Sequence, residues 1–474
     1  MERIDGFLTM LNGFFTALNG YLWGPPFLTL LFGTHLYMTM RTGIIQRKLG
    51  LAIRLSVTKD PGGAGDVSQF GALATALAAT LGTGNIVGVG TAIALGGPGA
   101  VLWMWLTGIF GIATKYAEAL VAVKYRVKTS DGTILGGAMY ALERGLEMKG
   151  LAKLFALLTS LTAFGIGCTV QANAVSGIAH ENCGVPVWLS GLVLAVLAAA
   201  VIIGGLKSIT AACEVMVPFI SALYLVGCLA ILWINRDFLG EAAAQIFFSA
   251  FSPRAAGGGA LGISVMTAAR YGVARGLFSS ESGLGSSAIV AAAAQTRNPV
   301  RQALVSSTGT FWDTVVLCAV TGLVFVSTML ADPSAAGYGT KTLDGALLAS
   351  QAFGKIPVIG PAVLTFGIII FAFSTIIGWS YYGERGAEYL FGKAVILPYR
   401  AVYIAAVWAG AVVSLETVWN IADTLNMLMA VPNLICILLL SEVISKETKH
   451  YLAGSNIELI DHTPIPIVDN RLKK

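Results

Sequence analysis

The stretch "AATLGTGNIVGVGTAIALGGPG", residues 78–99, is where unusual backbone chemistry concentrates in this chain. Gly82, Gly84 and Asn85 favour turns, stand with Thr83 in a run of four, and lie between apolar flanks. Two chemistries answer to such a pattern. One is a phosphate cradle: Gly82-Thr-Gly84-Asn-Ile-Val-Gly88 is GxGxxxG, one residue longer than the dinucleotide fingerprint. That fingerprint must follow a strand, open a helix and have an acidic residue about 20 positions on. Here both flanks are apolar helical segments, and residues 67–117 contain no Asp or Glu, which argues against it. The other is a broken membrane helix. Glycine weakens a helix by about 1 kcal/mol per residue, and unwound backbone at membrane depth is tolerated only where it is buried or lines a cavity. Its freed carbonyls coordinate a cation, while half-helix N-termini face an anionic group. Thr80, Gly84, Gly88, Ala92 and Gly96 also recur every four residues, a small-residue face that lets a neighbouring helix approach closely.

Other polar residues stand out against apolar surroundings, and each has a plainer reading beside the functional one. Ser374 and Thr375 in "FAFSTIIGW" place adjacent hydroxyls in an apolar helix, where such groups commonly bond back to their own helix carbonyls. Trp379 shares a face with Thr375, four residues on, and either closes over a small side chain or anchors the helix at the membrane interface. Gln171 in "GCTVQANAV" is a buried amide that needs partners, from another helix or from a solute. Asp313 and Asp423 are candidates for a proton relay or an ion site, with hydrogen-bonded packing as the alternative. Lys115 and Glu118, spaced i, i+3, are expected to pair on one helix face. Arg270 and Arg275 read as structural, and "GLFSSESGLGSS" reads as a hinge or gate in which Glu281 pairs with Arg275.

The elements that must position these residues follow from composition. The chain has 474 residues, of which 56% are hydrophobic and 12% charged, where soluble domains carry about 25% charged residues. The excess runs the whole length, so the fold class is an all-α polytopic membrane protein with the lipid bilayer as its solvent. Eleven apolar spans are expected, near 20–40, 68–95, 99–123, 152–180, 186–204, 209–234, 257–282, 303–330, 360–383, 398–414 and 419–444. Basic residues in short loops set the orientation. Arg41, Arg47, Lys48, Arg54 and Lys59 follow the first span, and Lys124, Arg126, Lys128, Arg144, Lys149 and Lys153 follow the third. Later loops alternate in the same sense, with "HENCG" and "YGTKTLDG" poor in bases. The N-terminus is therefore expected outside and the C-terminus in the cytoplasm, with 445–474 a short polar tail. No cleavable signal is expected after "MERID". A net charge of +5 is too mild to imply nucleic acid.

Several long motifs carry a resemblance. "ALAATLGTGNIVGVGTAIALGGPGAVLWMW" and "RYGVARGLFSSESGLGSSAIVAAAA" resemble the two signature regions of the alanine or glycine:cation symporters, the sodium/alanine symporter family. "FAFSTIIGWSYYGERGAEYLFG" and "IADTLNMLMAVPNLI" resemble its later spans, so the similarity covers about residues 20–445. It implies the leucine-transporter-like fold of the amino acid–polyamine–cation superfamily: a 5+5 inverted-repeat core with one extra N-terminal helix. The corresponding divisions are 1–66 (extra helix and cytoplasmic loop), 67–235 and 236–444 (the two repeats), and the tail. By the same resemblance, carbonyls around Ala78 and Leu81 combine with Ser374 and Thr375 into an Na⁺ site. Gly82, Thr83, Gly84, Asn85, Gln171, Thr375 and Trp379 would contact a small neutral amino acid, alanine or glycine.

The expected activity is sodium-coupled uptake of alanine or glycine by alternating access, across the prokaryotic cytoplasmic membrane. No cofactor is expected beyond Na⁺ as coupling ion. The runner-up is the same fold driven by H⁺. A channel would carry a repeated filter sequence or rings of charge. A membrane enzyme would need a catalytic cluster, but His35, His180, His450 and His462 lie far apart, and the cysteines at 168, 183, 213, 228, 318 and 436 show no metal spacing.

Overall fold

The computed structural model describes residues 2–60, 62–251, 265–333, 345–412, 415–454 and 456–469. The first eight residues of the expected span 257–282, most of the loop "YGTKTLDG" and the last five residues of the tail lie outside them.

The chain opens with α1 (Glu2–Leu22) and α2 (Pro25–Arg41), which split at Trp23-Gly24 because Pro25 and Pro26 open a new helix with ring-fixed φ. The expected span 20–40 is therefore mostly α2, and α1 packs separately against a late helix. A short α3 (Leu49–Ser56) leads to the glycine-rich stretch. There α4 (Gln69–Thr80) starts at Ser68, whose Oγ accepts the Gly71 N–H at 2.8 Å. It ends at Thr80, Gly82 is extended, Thr83–Asn85 form one 3₁₀ turn, and α5 (Val87–Gly96) resumes the helix. The break falls on the four residues that favour it. Gly97, at φ 71°, then stops α5 in a conformation that suits glycine.

The long helix α6 (Gly99–Lys124) and the short α7 (Ala138–Gly145) follow. Next come α8 (Lys149–Phe164) and α9 (Val170–Cys183), joined by a π turn over Gly165–Thr169. The middle of the chain holds α10 (Val187–Ile202), α11 (Gly205–Ile234), with Pro218 inside it, and α12 (Leu239–Phe251). A second interruption separates α13 (Val265–Ser280) from α14 (Ala288–Ala292). Glu281, Gly283 and Gly285 between them all have positive φ.

The remaining helices are α15 (Pro299–Thr310), α16 (Ala319–Ala331), α17 (Gly345–Gly354), α18 (Ile359–Phe391), α19 (Ile396–Gly410), α20 (Leu415–Leu439) and α21 (Ser441–Leu452). Asn298 caps α15, accepting the Arg301 N–H at 2.9 Å, and a π segment over Phe311–Cys318 joins α15 to α16. Among the described residues, six continuous helical stretches of 21 to 34 residues are long and apolar enough to cross a bilayer.

The molecule is apolar outside and polar in places within. Trp188, Val193, Val196 and Leu197 on α10, and Phe219, Val226, Leu229 and Trp233 on α11, are exposed, as a lipid-facing surface requires. Gln171, Asn85, Asp313, Ser374 and Glu281 are all buried. α4 packs against α11 and α18, α5 and α6 pack against α13, and α8 packs against α18. The four-residue small face is only partly used. Gly84 faces Phe278, but Gly88 meets almost nothing, and the tightest backbone approach is at Gly90, off that face, against Gly345. Farther along the same face, Gly96 packs against Ala268 and Tyr271 of α13.

The tail is docked. α21 is followed by a strand, Ile467–Val468, in a small sheet. It pairs in parallel with Val127–Thr129, which pairs antiparallel with Ile134–Leu135.

Candidate functional site: the helix break and its cavity

Gly82 sits at the centre. Its N–H donates to Asn85 Oδ1 at 3.1 Å, so the turn is closed by its own side chain. A Cβ on Gly82 would lie 2.7 Å from Thr375 Oγ1 and 3.2 Å from Gln171 Oε1, which explains why the position has no side chain. The Thr83 N–H donates to Gln171 Oε1 at 3.3 Å, and Gln171 Nε2 donates to the Ile166 carbonyl at 3.1 Å within the π turn. The wider π turn frees that carbonyl from the regular helix ladder. Gly167 has the same logic as Gly82: a Cβ there would overlap Trp379.

On the other side, α18 brings its hydroxyls to the carbonyls freed where α4 ends. Thr375 Oγ1 lies within hydrogen-bond reach of the Ala78 carbonyl at 3.1 Å and of the Leu81 carbonyl at 3.3 Å. Ser374 Oγ reaches the Ala78 carbonyl at 3.3 Å. Both hydroxyls also bond back to the Phe371 carbonyl, so the plain reading of the pair holds alongside the functional one. The four oxygens of Ala78, Leu81, Ser374 and Thr375 converge, and an all-oxygen set suits a hard cation.

Beside this cluster lies a cavity of about 10 Å³, room for about one water-sized sphere. Of the sequence-expected residues, Gly82, Gly84, Gln171, Thr375 and Trp379 line it. Thr83 and Asn85 do not. Asn85 Nδ2 turns to Asp313 Oδ1 at 2.6 Å and to Ser279 Oγ at 3.0 Å. Asp313 also accepts from Ser279 at 2.8 Å and from Thr314 at 2.5 Å, and among the described residues it has no ion pair. Sequence reading missed Ala79, Thr80, Ile166, Phe278 and Glu281 in the cavity wall. Only their packing places them there; the serine-rich run around Glu281 was the one available signal. Thr83 Oγ1 is buried without a hydrogen-bond partner among the described residues, which is uncommon for a finished interior.

A family model described as the sodium:alanine symporter family matches residues 8–461. The chain belongs to that family. An uncharacterized transporter of Haemophilus influenzae is 49% identical over 94% of this chain and 97% of the relative. The sodium/alanine symporter AgcS of Methanococcus maripaludis is 48% identical over 91% and 95%. The solved structure of MhsT in complex with L-phenylalanine has a TM-score of 0.58 at 14% identity, over 80% of this chain and 90% of that one. This supports a leucine-transporter-like fold for this multi-pass member of the symporter family.

Ion pairs cross the symporter's core at two places. At the end carrying the tail, Asp60 pairs with Arg297 at 2.6 Å and Arg301 at 3.1 Å. Glu458 pairs with the same two arginines at 2.7 and 2.9 Å. Toward the opposite end, Arg275 pairs with Asp423 at 3.3 Å and lies over the rings of Phe278 and Trp419. This corrects the expected Glu281–Arg275 pair: Glu281 lies past the end of α13 and accepts from Ser286 Oγ at 2.5 Å. Lys115 and Glu118 also do not pair with each other. Lys115 Nζ donates to the Ser280 carbonyl at 2.8 Å, and Glu118 Oε1 accepts the Gly283 N–H at 2.7 Å. The freed backbone groups of the second interruption draw each charge away from its helix neighbour.

Proposed function

We propose that this chain carries alanine, glycine or both into the cell together with Na⁺, by alternating access and without covalent chemistry. The observation that carries the reading is the convergence of two helix-break carbonyls and two hydroxyls beside the closed cavity. Na⁺ is held by the carbonyls of Ala78 and Leu81 and the hydroxyls of Ser374 and Thr375. The amino acid sits against Gly82, Gly84, Gln171, Thr375 and Trp379, with Thr83 and Asn85 shaping the break. A cavity smaller than any amino acid fits a conformation that must open to load. AgcS, named a sodium/alanine symporter, supports the choice of solute and ion.

The same reading assigns eleven spans, a first repeat over 67–235 and an inverted second repeat over 236–444, each beginning with a broken helix. The N-terminus lies outside, the tail in the cytoplasm, and the membrane is the prokaryotic cytoplasmic membrane. The test is alanine uptake into proteoliposomes with Na⁺ replaced by choline. Uptake should collapse; unchanged uptake sinks the sodium reading. One observation keeps proton coupling as a second reading: Asp313 is a buried carboxylate with hydrogen bonds but no ion pair among the described residues. Such a group needs a proton or a cation when the site is dry. A pH gradient alone should not drive uptake if the sodium reading holds.

A further inference from the structure

The cavity wall is neutral except at one place. Glu281 is the only titratable side chain among its lining residues, and it is 1% exposed. Its carboxylate accepts from Ser286 Oγ and faces the Trp379 indole N–H; among the described residues no Lys, Arg or His lies within ion-pair distance, and Lys115, bound to the Ser280 carbonyl, acts on it only from farther away. A buried carboxylate without a cationic partner is costly, and the cost is relieved when a cation arrives.

The backbone holds Glu281 at the cavity against its own preference. Its φ is +53°, a conformation in which a side chain is strained and which persists only when neighbours over-determine it. Those neighbours are specific. Lys115 fixes the Ser280 carbonyl just before it, Glu118 fixes the Gly283 N–H just after it, and Asn433 Nδ2 donates to both Glu118 Oε1 and the Gly283 carbonyl. The unwound segment is thereby tied to α6 and α20 on both sides of Glu281.

We propose that Glu281 is the counter-charge for the ammonium group of the transported solute. The inference rests on the amino-acid reading above, but it requires only that the solute carry a protonated amine. The solute's carboxylate then lies toward the break at Gly82–Gly84, and its ammonium toward the break at Glu281, so the two interruptions read opposite ends of one zwitterion. Phe278 and Trp379 wall the cavity on apolar sides, which keeps the dielectric low and strengthens the pairing. A carboxylic acid without an amine meets an unpaired negative charge and is rejected.

The test uses the purified full-length protein in Na⁺-containing buffer. Binding of alanine, glycine, serine, glutamine, ethylamine and propionate is measured to the wild type and to Glu281→Gln. The wild type should bind at least one amine-bearing compound and exclude propionate. Glu281→Gln should lose at least about a hundredfold in affinity for that compound, with Na⁺-induced thermal stabilisation retained. Affinity within about threefold of wild type overturns the proposal.

Should the variant not yield folded protein, labelling of the wild type by a hydrophobic carbodiimide decides, read at Glu281 by peptide mass spectrometry. Shielding by amine-bearing compounds and not by propionate supports the assignment. No shielding by any of the panel overturns it. If alanine and glycine fail while another amine binds through Glu281, the solute reading falls and the counter-charge stands.

Discussion

The two interruptions of the symporter's core solve one problem with opposite chemistry. At Leu81–Asn85 the broken helix is neutral. Its turn is closed by an amide, its carbonyls meet two hydroxyls from α18, and Gly82 has φ −136°, which any residue adopts. Glycine is required there because Thr375 and Gln171 fill the space of a side chain. At Glu281–Ser287 the broken segment is charged and locally strained. Three of its residues have positive φ, and Lys115, Glu118 and Asn433 hold it. The first break is shaped by what it must touch, the second by what must hold it. Substitutions therefore fail for different reasons at the two places.

Thr375→Val gives the largest expected effect, because it removes an oxygen from the proposed cation set while keeping the shape of the side chain. The Na⁺ concentration for half-maximal uptake should rise at least about tenfold, near 1.4 kcal/mol, with thermal stability almost unchanged. Normal Na⁺ dependence would show that the hydroxyl only bonds back to Phe371. Gly283→Ala tests the other side of the comparison. A side chain at φ 111° and close to Leu31 Cδ1 should cost about 1–2 kcal/mol of stability, read as a lower melting temperature in detergent, before any change in Na⁺ dependence. Equal losses in melting temperature for Gly82→Ala and Gly283→Ala would erase the distinction between the two breaks.

Trp379→Ala should widen the cavity and admit larger neutral amino acids as competitors, with a few-fold change in alanine affinity. Unchanged selectivity would leave Trp379 as packing alone. The smallest effect is expected from an exposed counterpart of the buried charges. The Asp131 carboxyl is held at about 2 by hydrogen bonds from Lys393 and Thr129. A lowered carboxylate value means its contribution is present above the unfolded value near 4 and is lost as pH falls through about 2. Solvent screens this pair, so Asp131→Asn should leave melting temperature nearly flat between pH 5 and 8.

The polar residues show how much of this site could be read in advance. Gly82, Gly84, Gln171, Thr375 and Trp379 were legible because each is the wrong residue type for an apolar helix, and that incongruity survives without coordinates. Asn85 was legible as polar but not in its direction: only the placement of the Phe311–Cys318 π segment shows that it serves Asp313. Lys115 and Glu118 invited a local i, i+3 pairing that the structure does not make. Spacing on one helix says nothing about unsatisfied peptide groups arriving from another.

By itself the sequence determined that this chain lives in a bilayer, that its glycine-rich helix breaks at Gly82–Asn85, and that its family is that of the sodium:alanine symporters. Those properties rest on local causes: apolar content, helix-breaking residues, and long motifs. Only the tertiary structure decided that the carbonyls of Ala78 and Leu81 face Ser374 and Thr375, that Asp60 and Glu458 pair with Arg297 and Arg301 and Arg275 with Asp423, and that Glu281 lines the cavity. The hydrogen bonds and ion pairs among these contacts join residues roughly 150 to 300 positions apart. Buried polar groups must find partners wherever packing brings them, and packing is a property of the whole chain.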